Sequence, residues 1–366
     1  MRICYLADAM SIHTRKWAGY FADRGHEVHL VSENMPEGDS LPNIEFHHLR
    51  TVQGIRIIPL LVLMVRIKRL ISKVKPDILH AHYATTYGLW AALTMFHPFV
   101  LTVWGSDILI TPGSSRLAKH KTRFLLRRAD LITCDADHVL GRMVELGADR
   151  QKIRLVFFGV DTEVFTPSRR DLDFRKEMEL EEDSPIVISL RNLNPIYNVE
   201  SLVRAVPLVL RKVPQASFII AGKGEQESYL RELARSLGVT QNIRFVGSIP
   251  NVEMPKYLSS SDVYVSTSLS DAGIAASTAE AMACQMPVVI TDVAENRKWV
   301  KDKEGGFIIP PKDPMILAER IAYLLENKSI RESFGIVNRK TIQERNEYKK
   351  QMKEMERAYE ELVEKT

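Results

Sequence analysis

Two carboxylates mark the stretch from Thr267 to Val289, TSLSDAGIAASTAEAMACQMPVV. Asp271 opens a run of small residues, and Glu280 sits among alanines. The apolar run DVYVS before it reads as a strand ending near Ser266, and the segment from Ala275 or Ala276 through Cys284 as a helix. The first amide N–H groups of such a helix are unpaired and its dipole is positive there, which makes an anion site. Gly273, Ile274, Ala275 and Ala276 form the entry to it, and the small side chains let a diphosphate come close. Glu280, about one turn further on, is placed to accept two hydrogen bonds from a vicinal diol such as a ribose. A mid-helix glutamate is otherwise simply solvated. Its neighbours Ala279, Ala281, Met282 and Ala283 argue for packing instead, and packed carboxylates need a partner.

Other strand ends in the same half carry unusual residues. Arg191 directly follows IVISL, where its guanidinium fork can pair with phosphate oxygens or make a surface salt bridge. Gly222 and Gly224 flank Lys223 after ASFIIA, so that the backbone either approaches a ligand or makes a plain turn. Ser248 and Ile249, at the end of IRFVGS, are further candidate contacts.

These residues need strands to hold them, and the chain supplies alternation throughout. RICYL, a helix through SIHTRKWAGYFADRG, and EVHLVS make a βαβ unit, which builds a parallel sheet. The pattern continues through DILHAHY, FVLTVWG, DLITCD and IRLVFFGVD, then stops at FTPSRRDLDFRKEMELEEDSP, read as an interdomain linker. A second series runs from IVISL through ASFIIAGKG, IRFVGS and DVYVSTS to MPVVIT. The expected architecture is α/β: two Rossmann-like doubly wound domains, 1–168 and 169–345, facing a cleft, with a C-terminal helix at 346–366. In open parallel sheets ligands bind at the carboxyl ends of strands.

Composition agrees with a folded protein of about two domains: 366 residues, 45% hydrophobic and 26% charged. A net charge of +4 demands no nucleic-acid partner. Cys4, Cys134 and Cys284 lie in apolar contexts and read as reduced core residues of a cytoplasmic protein, and no secretory leader is visible. Ile57 to Val65 is too short to span a bilayer. No His, Cys or Asp spacing suggests a metal site.

The segment AGIAASTAEAMACQMPVVITD resembles the donor-binding segment of retaining GT-B glycosyltransferases of the large family four, usually E-x-F-G-x-x-x-x-E-A-M-A-x-G-x-P-V-V. DRGHEVHLVS, PDILHAH, GVDTEVF and YLSSSDVYVSTS fall in the family's order, so the resemblance covers nearly the whole chain. It implies a sugar transfer from a nucleotide diphosphate sugar, as co-substrate rather than resident cofactor, to a saccharide or lipid-linked acceptor, without a metal. Glu280 matches the ribose-holding glutamate, and Arg191 the arginine that contacts the diphosphate. The first glutamate's place is taken by Ala272, so Asp271 stands in from one residue further away, given a one-residue bulge at Gly273. The family's phosphate Lys-Gly is replaced by Tyr197 and Asn198, and Lys223 is an alternative cation. In the first half the usual glycine pair is missing, leaving backbone amides near Ser11 to meet phosphates. Trp104 follows the strand where a histidine is frequent. His82 and Asp107 fall on the implied acceptor side, where they position an acceptor or make structural hydrogen bonds.

The stretch from Ile55 to Lys75 combines an apolar face with Arg56, Arg66, Lys68, Arg69, Lys73 and Lys75, and Lys119 to Arg128 is also basic. These are surface helices of the first domain or a patch that docks peripherally on an anionic membrane. Two further readings of the whole chain are a nucleotide-sugar epimerase of this architecture and a non-catalytic nucleotide-sugar-binding homologue.

Overall fold

Short strands alternate with helices along most of the chain, the order of a parallel sheet covered by its crossover helices. The computed structural model describes residues 1–36, 42–50, 57–167 and 172–365. They form two units: Met1–Phe158 with Lys350–Thr366, and Gly159–Lys349.

The first unit holds strands β1 (Arg2–Leu6), β2 (Glu27–Ser32), β3 (Ile44–His48), β4 (Ile78–His82), β5 (Phe99–Thr102), β6 (Leu131–Cys134) and β7 (Ile153–Leu155). All neighbours are parallel, in the order β3-β2-β1-β4-β5-β6-β7. The order reverses between β1 and β4, which places the loop after β1 beside the end of β4. The C-terminal helix Tyr348–Val363 supplies Met352, Met355 and Tyr359, all fully buried, and from Lys350 onward it belongs to this unit. The Tyr359 hydroxyl lies 3.1 Å from that of Tyr5 and also bonds His80, while Glu356 accepts from His26 at 3.0 Å.

The second unit holds β8 (Ile186–Leu190), β9 (Ser217–Ala221), β10 (Ile243–Gly247), β11 (Val263–Ser266), β12 (Val288–Thr291) and β13 (Gly306–Ile309). This sheet too is wholly parallel, in the order β10-β9-β8-β11-β12-β13, and it reverses between β8 and β11. Val187, Val263, Val265 and Val289 pack with Leu202, Val206 and Ile321 from the covering helices. Each such burial contributes about 1.5–3 kcal/mol.

Three expectations change. The boundary expected at 168/169 falls among residues 168–171, outside the described ones, and the observed division comes earlier. The Val160 N–H donates to the Asn346 carbonyl at 2.8 Å and Tyr348 N–H to the Val160 carbonyl at 3.0 Å, which ties both 159–167 and 346–349 to the second unit. The supposed linker contains a helix, Leu172–Glu177, whose buried Arg175 donates to the carbonyls of Glu181 and Ser184. Strands β3 and β13 have no counterpart in the sequence reading. Both are sheet-edge strands, and β3 is mostly half-exposed, so it lacks a continuous apolar run.

The helix Ile57–Val74 forms as its apolar periodicity suggests, with Ile55 and Arg56 outside the described residues. Among the described residues no helix is long and apolar enough to cross a membrane. Cys4, Cys134 and Cys284 are buried and unbridged.

Candidate functional site

At the reversal point of the second sheet, the loops after β8 and β11 meet. Arg191 leaves the end of β8, and its Nη2 donates to Asp271 Oδ1 at 2.5 Å, with the two side chains only 10% and 12% exposed. The Tyr197 ring lies against the same guanidinium, 4.4 Å from its carbon, a cation–π contact. Arg191 Nε is buried without a partner. A buried donor on a charged fork is the kind of group that an anion completes. Asp271 feels two opposed effects: burial raises its pKa, and Arg191, with the Ser268 hydroxyl, pulls it back.

The loop after β11 is stitched to the β8 side. Thr267 donates through its hydroxyl to the carbonyls of Tyr197 and Asn198 at 3.0 and 2.9 Å, and Leu269 N–H to Ile196. Asn198 occupies the left-handed region with φ 49°, where asparagine is the best substitute for glycine. Its side-chain amide donates to Ser201 Oγ at 2.9 Å and reaches the Thr267 carbonyl at 3.4 Å. Tyr197 and Asn198 therefore serve the geometry of Arg191 and of the loop.

The helix Ala276–Ala283 follows, with Ala275 as its N-cap and no side-chain cap, which leaves its first amides open. Gly273, Ile274 and Ala275 are buried beneath the turn, and Ala276 is partly exposed. Glu280 lies in the middle of this helix, partly buried; burial pushes the nearby Cys284 thiol up to about 12, and the Glu280 charge adds to the shift. Arg339 closes the other end by donating to the Ala283 and Phe165 carbonyls, a cation at a helix C-terminus.

Of the two readings of Gly222 and Gly224, the structure shows a tight turn, with Gly222 also lining a pocket. A Cβ on Gly222, at φ 139°, would stand 2.4 Å from the Arg191 carbonyl oxygen, and one on Gly224 2.4 Å from the Leu193 carbonyl. The glycines let the turn after β9 pack against the backbone that carries Arg191, and Leu193 N–H donates to the Lys223 carbonyl at 3.0 Å. Ser248 and Ile249 complete a pocket of about 140 Å³ with Leu190, Arg191, Asn192, Ala221, Gly222 and Met254. Lys223 is not among its lining residues; its Cε lies 3.8 Å from where a Gly247 Cβ would stand.

One residue of this site escaped the sequence reading. Tyr264, fully buried in β11, brings its hydroxyl to 2.8 Å from Ser277 Oγ under the first turn of the helix Ala276–Ala283. Burial raises its pKa, and the charges of Arg191 and Asp271 act on it in opposite senses. A lone tyrosine amid valines in DVYVS was its only signal.

In the first unit the predicted residues divide. Ser11 caps the helix Ile12–Asp23 without a side-chain bond, and its N–H is taken by the Asp8 carbonyl at 3.1 Å. His82 ends β4 but is buried, ringed edge-on by Tyr5, Trp17 and Trp104, with Nδ1 3.2 Å from Thr14 Oγ1 and Nε2 unpartnered. Burial lowers its pKa to about 3, and that of His13, stacked on Trp104, to about 4. Asp107 is buried as a clasp that accepts from the Ala84 N–H at 2.7 Å and the Trp104 N–H at 3.2 Å. Beside that clasp opens a pocket of about 380 Å³, lined among others by Ala84, Trp90, Leu117, Lys121 and Leu125.

Two wholly parallel Rossmann-like domains define the GT-B architecture. The family described as glycosyl transferases group 1 matches residues 171–341, and that described as glycosyl transferase 4-like matches residues 2–136. N-acetyl-alpha-D-glucosaminyl L-malate synthase of Bacillus anthracis is 25% identical over 92% of this chain and 90% of its own. A GDP-mannose-dependent phosphatidylinositol monomannoside mannosyltransferase of Mycolicibacterium smegmatis is 26% identical over 75% of this chain and 74% of its own. The Anabaena protein HepE, solved with UDP-glucose, superposes with a TM-score of 0.83 over 99% of this chain and all of its own at 18% identity. The chain belongs to the group 1, glycosyltransferase 4-like family and is a glycosyltransferase.

Proposed function

We propose that this glycosyltransferase moves a sugar, with retention, from a nucleotide diphosphate sugar to a saccharide or lipid-linked acceptor. The observation that carries the donor assignment is Arg191, nine-tenths buried at the β8/β11 reversal with an unpartnered Nε, while the loop after the neighbouring strand β11 leads into the open amides of the helix Ala276–Ala283. Arg191 and those amides receive the diphosphate, and Glu280 receives the ribose diol. Asp271, held by Arg191, faces the sugar hydroxyls. The acceptor oxygen attacks the anomeric carbon on the face that the phosphate leaves. As the carbon–oxygen bond to phosphate breaks, the acceptor's proton passes to the departing phosphate oxygen. The protein's contribution is charge stabilisation on that leaving group. No side-chain base is required, which suits a first unit whose His82 is buried and neutral.

An acceptor attached to lipid is favoured by the first unit's surface. Leu60, Leu61 and Val65 are exposed on the helix Ile57–Val74 beside Arg66, Lys68 and Arg69, and Leu117 and Phe124 are exposed on the basic helix Arg116–Arg128. An apolar edge with several cations is the composition of a peripheral contact with anionic membrane. The test is incubation with UDP- and GDP-sugars and with saccharide or extracted-lipid acceptors. Release of nucleoside diphosphate that depends on acceptor, with the donor's anomeric configuration kept in the product by NMR, supports the proposal. Inverted product refutes retention, and interconversion of free donors without transfer refutes the transferase assignment.

A further inference from the structure

The parallel pairing of β2 with β3 sets His29 opposite Glu45 and Val31 opposite His47, so that His29, Glu45 and His47 share one face of the sheet edge. Their ligating atoms are close. His29 Nδ1 lies 3.0 Å from His47 Nε2 and 3.5 Å from Glu45 Oε2, and His47 Nε2 lies 3.5 Å from Glu45 Oε1. Atoms bound at 2.0–2.1 Å to a tetrahedral ion stand about 3.3–3.4 Å from one another. The separations bracket that edge length, the two to Glu45 involving its different oxygens, and with one ligand atom from each residue all three lie within 4.8 Å of one another.

A fourth group turns the cluster into a built site. The other nitrogen of His29, Nε2, faces Glu27 Oε1 at 3.1 Å, and Glu27 is itself held by Arg2 at 2.8 Å. A carboxylate behind an imidazole is the usual outer support of a zinc-ligating histidine, because it keeps the proton on the far nitrogen and turns the near lone pair inward. His29 is 3% exposed, so its ring is fixed by packing. Glu45 is mostly exposed and His47 half-buried, which leaves one side open to solvent for a fourth, water ligand. His48, one position on, turns away and bonds the Glu33 carbonyl.

We propose that His29, Glu45 and His47 form a site for a divalent transition metal, zinc by the chemistry of its two imidazoles and one carboxylate, with Glu27 as a positioning residue. Linear spacing hides this set, since its members come from two strands and are assembled only by their register. Its role is a clasp on the edge strand, which otherwise offers an unpaired row of backbone groups.

The test uses the untagged full-length chain, stripped with chelator and titrated with Zn2+ against a fluorescent zinc indicator, and separately with Co2+. The expected result is one Zn2+ per chain and an intense visible Co2+ band of tetrahedral type. His47→Ala and the milder Glu45→Gln should each abolish the Co2+ band and weaken Zn2+ at least 10-fold, with circular dichroism unchanged. Glu27→Gln should weaken Zn2+ by about 10- to 100-fold while keeping the stoichiometry. His48→Ala should leave binding as it was. A wild-type chain that binds no Zn2+ at micromolar concentration, or binding untouched by both His47→Ala and Glu45→Gln, overturns the assignment.

Discussion

Replacing Arg191 with methionine keeps the bulk of its stem and removes the charged fork with its donors, which leaves Asp271 without its partner. Asp271 would stay 12% exposed with its principal counter-charge gone. Breaking a buried ion pair from one side costs about 3–5 kcal/mol, because the remaining charge is left unsolvated. For a unit of this size each kcal/mol moves the transition by about 2–4 °C, so the second unit should unfold roughly 6 to 20 °C lower at pH 7.5. Acid should relieve the deficit. Burial already raises the Asp271 pKa, and Arg191 is the main influence holding it down. Without Arg191 the folded-state pKa rises further above its unfolded value, so the folded chain binds the extra proton and the penalty shrinks as pH falls through that raised pKa. Differential scanning calorimetry at pH 7.5 and pH 5 measures both effects and separates the transitions of the two units. Adding Asp271→Leu to the variant should recover most of the loss, since no charge then remains buried. A shift under about 2 °C at pH 7.5, or an equal deficit at both pH values, would refute the reasoning.

Tyr197→Lys restores a phosphate-reaching ammonium at the cost of the contact with Arg191. A charged hydrogen bond contributes about 1.5–3 kcal/mol against about 2 for a desolvated cation–π contact, so calorimetric titration should find nucleoside diphosphate bound at most about 5-fold tighter and no weaker. Gly222→Ala must displace the Arg191 carbonyl, which lies 2.4 Å from the added Cβ, so it should destabilise by at least about 2 kcal/mol in urea melts and weaken the same titration. The first unit should be acid-labile: burial lowers the pKa values of His80, His82 and His13, so the unfolded chain binds the extra protons. Their stability contribution is complete above about pH 6.5 and is lost as pH falls toward 3, at up to about 1.4 kcal/mol per pH unit for each, and His82→Leu should remove one proton from that slope in pH-dependent unfolding.

The strands of both sheet interiors were legible because buried parallel strands are nearly contiguous apolar runs, as FVLT and VVIT illustrate. Of the four edge strands, β7 and β10 were legible and β3 and β13 were not. IEFHH alternates half-exposed residues, and its meaning lies in which neighbours face it across β2. In the candidate site, residue types and strand ends singled out Arg191, Asp271 and Glu280, but not the bond that joins the first two. That bond depends on β8 and β11 being adjacent, a fact of topology that follows from no local pattern. The same limit applies to Gly222 and Gly224, read as room for a ligand or a plain turn, whose close approach to the Leu193 and Arg191 backbone no local pattern shows. His82 kept its strand-end position and Asp107 lies in the short helix Ser106–Leu109 beyond β5, and the side chains of both are buried in the first unit's own hydrogen bonds and ring packing.

The most direct test of the donor assignment is a thermal-shift titration of the full chain with UDP, GDP, ADP and TDP, repeated on Arg191→Ala and Glu280→Ala. A ligand at 100 times its dissociation constant stabilises by about 2.7 kcal/mol. The account predicts a clear shift with at least one of the four nucleotides in the wild type and loss of most of it in each variant. A shift that survives in both variants would contradict it and place the nucleotide away from the ends of β8 and β11.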